Sequence, residues 1–65
     1  MTDQQLKDFG KVKRWCDKNL TVLYKTGTDL WGIANTCINA LFPDDTCSIQ
    51  FAAVKNYMAA EIGVL

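Results

Sequence analysis

The chain contains no histidine, and its three cysteines, Cys16, Cys37 and Cys47, form no CxxC pair. Those absences remove the usual zinc-ligand patterns and the commonest acid–base catalyst. There is no glycine-rich phosphate loop and no serine-containing nucleophile elbow either. Charge of one sign is missing as well. Formal net charge is zero, so the chain as a whole neither attracts phosphate nor imitates an acidic nucleic acid. No apolar run approaches the roughly 20 residues that span a bilayer, and the opening stretch MTDQQLKDFGKVKR has no apolar signal region. Proline occurs once, at Pro43, and there is no repeat, low-complexity tract or linker. The expectation is a cytoplasmic protein with no membrane segment, no enzymatic activity, no cofactor and no metal.

What is present is apolar. Of 65 residues 49% are hydrophobic, which argues against disorder and for one small domain over residues 1–65. A chain of this size buries only about 60% of its unfolded surface, so a second subunit would relieve a marginal core. The stretch Thr28–Phe42 carries the strongest pattern. Leu30, Ile33, Ala34, Cys37, Ile38 and Leu41 share one helical face, and Trp31, Ala40 and Phe42 widen it to roughly 200°. No charge falls between Asp29 and Asp44. This pattern predicts a central helix covered on two sides.

Thr2 and Gln5 fit a capping box opening helix 1, over about 3–25, with Leu6, Phe9, Val12, Cys16, Leu20 and Leu23 toward the core. Asn19 could end that helix and leave Leu20–Tyr24 extended. Unbroken apolar spacing favours continuation, with Gly27 as the left-handed cap. Thr28 then suits the N-cap of helix 2, over about 29–42, which stops before Pro43. A tight Pro43–Thr46 turn leads into helix 3, over about 45–62. The architecture so predicted is all-α, a small antiparallel three-helix bundle. Each cysteine stands at an apolar position, so three reduced core thiols are expected. A Cys37–Cys47 bridge across the turn would leave Cys16 unpaired.

Two surfaces stand out. Helix 3 has a second apolar seam, Ile49, Ala53, Tyr57, Ala60 and Val64, bordered by Asn56, which predicts a homodimer through that helix. Residues 1–27 hold six bases and three acids, against one base and four acids in 28–65. Within the first segment Lys7, Lys11, Arg14, Lys18 and Lys25 align beside Trp15. Tryptophan and arginine are frequent interface anchors, so Lys7, Lys11, Arg14, Trp15 and Lys18 form a candidate partner-binding surface. Asp3–Lys7 and Asp8–Lys11 pairs would partly neutralise it, which disfavours nucleic acid. A helix-turn-helix formed by helices 2 and 3 has little support, since only Lys55 is basic there. Asp44 and Asp45 lie where helix capping accounts for them, and Cys47 lacks a basic neighbour that would make it reactive.

The residues thus point to a protein-binding module, an inhibitor, adaptor or regulatory subunit, of a size common among phage and mobile-element products. The alternatives are a nucleic-acid-binding regulator and a structural subunit of a larger assembly.

Overall fold

The computed structural model describes residues 1–65 and contains three helices, α1 (Asp3–Lys25), α2 (Leu30–Leu41) and α3 (Phe51–Ile62), with every pair in contact and no strand. The α1 start is the predicted capping box. The Thr2 hydroxyl accepts from the Gln5 amide at 3.1 Å, and the Thr2 amide donates to Gln5 Oε1 at 2.9 Å. Asn19 does not end the helix, because its side-chain amide donates back to the Trp15 carbonyl at 3.0 Å. Leu20–Tyr24 is accordingly helical. The end comes at Gly27, where φ is +94°. There the Gly27 amide donates to the Tyr24 carbonyl and the Thr28 amide to the Leu23 carbonyl, the paired bonds of a Schellman cap.

Thr28 is thereby used in closing α1, and the N-cap of α2 is Asp29, whose Oδ1 accepts from the Gly32 amide at 2.7 Å. Gly32 suits this closure, since a Cβ there would stand 3.1 Å from both Asp29 Oδ1 and Thr28 Cγ2.

The largest departure from the predicted boundaries is the start of helix 3, which lies at Phe51 and not near residue 45. Between them Phe42–Gln50 is irregular, with Asp45 in the left-handed region at φ 61°. The cause is Asp8. This carboxylate is 1% exposed, and its Oδ2 accepts from both the Ser48 amide at 2.9 Å and the Ser48 hydroxyl at 2.6 Å. Its Oδ1 accepts from the Gln4 side chain at 3.0 Å. A helix through residue 48 would spend that amide on its own backbone and leave a buried carboxylate short of donors. The connection also exceeds the three or four residues of a helix-turn-helix.

The core draws Val12, Cys16 and Leu20 from α1, Ile33, Ala34 and Cys37 from α2, Phe42, and Val54 and Met58 from α3. With Asp8, the buried residues of α1 fall at steps of four, so the face is rotated from the predicted one: Leu6 is 57% exposed and Phe9 only half-buried. The middle helix is likewise less covered than predicted. Trp31, at 58% exposure, and Ala40 face outward with Asn35, Thr36 and Asn39. Helix directions follow from which ends meet. Leu41 lies beside Trp15 and Lys18, so α2 runs back along α1. Trp31 and Phe51, in the first turns of α2 and α3, have ring centroids 5.2 Å apart. With the Lys55 ammonium also over the Trp31 ring, the N-terminal turns of α2 and α3 meet, which the long Phe42–Gln50 connection makes reachable. In turn α3 follows α1 in the same sense, with Phe9 near Ala53 and Leu20 near Glu61.

Candidate binding groove

Four of the five predicted partner-binding residues line one groove. Lys11, Arg14, Trp15 and Lys18 stand at helical steps along α1, and Asn19 and Leu41 complete the walls of a depression of about 250 Å³. The helix brings them together because residues three, four and seven apart share a face. Trp15 is half-buried and packs on the core while keeping one side open to the groove. Its backbone carbonyl is tied to Asn19. The Lys11 ammonium sits 5.6 Å from the centroid of the buried Phe42 ring, a cation–π distance that holds it at the rim. Arg14 leans back over Gly10: a Cβ on that glycine would be 3.5 Å from Arg14 Nη1. Lys7 is exposed one turn earlier on the same helix and does not line the groove.

Electrostatically the groove is less neutralised than the sequence suggests. Asp8, expected to pair with Lys11, points its oxygens at Ser48 and Gln4. Hydrogen bonds from the Ser48 hydroxyl and amide hold its carboxyl below the usual value, and Lys11 is the smallest of the influences on it. The groove is therefore a row of three cations over an apolar floor of Trp15 and Leu41.

The residues predicted for a dimer interface do not form a single outward seam. Ile49 precedes α3 and packs on the core, and Tyr57 stands edge-on to Phe9 with centroids 5.2 Å apart, facing α1. Burial, helped by Glu61, pushes the Tyr57 hydroxyl up to about 12. Ala53, Asn56, Ala60 and Val64 are exposed. Ile49 and Ala53 instead border a cleft of about 210 Å³ with Met1, Gln5, Phe9 and Gln50.

Sequence reasoning missed three features. The burial of Asp8 was signalled by its phase, one four-residue step before Val12. The cluster of Trp31, Phe51 and Lys55, with the ammonium 4.6 Å from the Trp31 centroid, depends on how α2 and α3 pack and left no sequence signal. The cleft of about 150 Å³ that Cys16 lines with Tyr57 and Glu61 depends on helix packing in the same way. No three histidine, cysteine or carboxylate side chains converge to hold a metal ion, and no helix is long and apolar enough to cross a membrane. Comparison of the chain with protein-family models, with curated proteins and with solved structures found no match.

Proposed function

We propose that this protein is a non-enzymatic protein-binding module that acts by occupying a surface of a macromolecular partner, as an inhibitor, adaptor or regulatory subunit. The observation that carries this reading is the groove itself, in which Lys11, Arg14 and Lys18 surround Trp15 and Leu41. An aromatic anchor ringed by cations suits an acidic protein segment that inserts an apolar side chain. Nucleic acid is less favoured. Three cations would release few counterions, and the balanced net charge adds nothing at longer range. The core thiols suit a reducing cytoplasm.

The reading is tested by cross-linking the tagged chain to its partner in the cells that make it. Trp15→Ala and Arg14→Glu should each lose the partner captured by the wild type, with helical circular dichroism unchanged, while Trp31→Ala keeps it. Retention by both groove variants would overturn the reading. Recovery of nucleic acid whose binding falls steeply with salt would replace it with the nucleic-acid alternative.

Self-association through α3 is a second reading, favoured by the uncharged exposed arc of Ala52, Ala53, Asn56, Ala59 and Ala60. Small residues allow two helices to approach closely.

A further inference from the structure

The α1 wall of the groove carries a repeat of its own. Lys11, Arg14, Trp15 and Lys18 stand at positions i, i+3, i+4 and i+7, so the cations climb the helix with Trp15 set between them. No carboxylate lines the groove. The acids of α1 nearest these cations are turned elsewhere: Asp8 accepts from Ser48 and Gln4, and Asp17 lines the cleft on the α3 side with Glu61. The one side-chain amide in the lining, that of Asn19, donates to the Trp15 carbonyl. An incoming chain therefore meets donors and apolar surface but few acceptors, and the complementary partner is acidic with an apolar side chain among its carboxylates.

The spacing of the cations favours one conformation of that partner. Helical rise puts Lys11 and Arg14 about 4.5 Å apart along the axis and Arg14 and Lys18 about 6 Å, so the row is about 10.5 Å long. Carboxylates at i, i+3 and i+7 of a second helix laid alongside α1 repeat those steps. On an extended strand the carboxylates of one face recur about every 6.7 Å, so three of them span about 13 Å and overrun the row. An extended segment also takes its main-chain partners from a sheet edge, and this fold of three helices has none to offer. A helix arrives with its backbone bonds already made. Lys7, exposed one turn before Lys11 and outside the groove, continues the row for a longer helix.

Given that this groove binds an acidic protein segment, we propose that the segment is an amphipathic α-helix lying along α1. Its acidic residues, at i, i+3 (or i+4) and i+7, face Lys11, Arg14 and Lys18, and an apolar side chain between them seats against Trp15 and Leu41. The cations set register and orientation, and the Trp15–Leu41 floor supplies the apolar burial.

The test measures fluorescence anisotropy of end-capped, fluorescein-labelled, alanine-based peptides titrated with the full chain in reducing buffer. One peptide carries glutamates at i, i+3 and i+7 and leucine at i+4, and its reversed sequence suits the antiparallel orientation. A third, of the same composition, places the glutamates at every second position. The expected result is saturable binding of one helical peptide, with a gain in helical circular dichroism, at least about tenfold tighter than the third peptide. Trp15→Ala and Arg14→Glu, each with unchanged helical circular dichroism, should weaken it by about tenfold or more, and Trp31→Ala should leave it unchanged. Arg14 is exposed, so its variant decides the matter even where Trp15→Ala does not fold. Equal affinity for all three peptides, lost in the groove variants, would overturn the helical partner and leave the groove as a site for acidic segments. Affinity that survives both variants would remove the groove as well. Failure of both helical peptides to bind overturns the proposal whatever cross-linking returns, and tighter binding of a single-stranded oligonucleotide would replace it with nucleic acid.

Discussion

Asp8 shows how one side chain can decide the course of a distant segment. A buried carboxylate needs donors, and the backbone of the chain's second half supplies them through Ser48. Because those bonds favour the ionised form, the folded pKa of Asp8 lies below its unfolded value. The stabilisation is therefore fully present above the unfolded value, about 4, and is lost as pH falls through the lower folded value. Urea titrations of the wild type across acidic pH should show this loss. Asp8→Asn should be less stable at neutral pH, and the gap between the two should narrow as the wild-type carboxylate is protonated. A gap independent of pH would mean that the charge of Asp8 contributes nothing.

Single elements carry their own determinants, and the glycines of α1 separate them. Gly10 lies inside the helix with ordinary φ, and a Cβ there meets only the flexible end of Arg14 at 3.5 Å. Gly10→Ala should raise stability by about 0.5–1 kcal/mol, because alanine loses less backbone entropy on folding. Gly27 closes the helix at φ +94°, with open space where a Cβ would go. Gly27→Ala should cost roughly 1–2 kcal/mol through backbone strain alone. Thermal melts of the two variants should thus move in opposite directions from one substitution type. Shifts of the same sign would contradict the backbone argument. The two ends of α1 were legible because Thr2–Gln5 and Gly27 act on their immediate neighbours. The start of α3 was not legible: residues 45–50 are compatible with a helix by spacing, and the tie from Ser48 to Asp8, 40 residues away in the chain, is not visible in local pattern.

At the scale of the whole molecule, extents of 32 × 23 × 19 Å enclose a core of nine buried apolar residues, few enough that a second subunit remains a physically reasonable addition. Ala53 and Ala60 are exposed, so glutamate at either leaves the monomer core untouched. Sedimentation equilibrium in reducing buffer should find a wild-type dimer, with Ala53→Glu and Ala60→Glu folded and monomeric. A wild-type monomer at all concentrations would remove the α3 interface and leave the Lys11–Lys18 groove as the surface to pursue.

The groove was partly legible for a related reason. Lys11, Arg14, Trp15 and Lys18 share a face by periodicity alone, whereas their partner wall, Leu41, arrives only because α2 turns back along α1. The sequence by itself determined the helical class, the caps of α1, the apolar composition of the core and the alignment of the cationic stripe. These follow from interactions between residues a few positions apart, which any local conformation expresses. Tertiary structure alone decided where α3 begins, that the first turns of α2 and α3 meet, and that Trp31 stays outside. Each of these turns on contacts between residues far apart in the chain, whose satisfaction outweighs the weak local preferences of the segments involved.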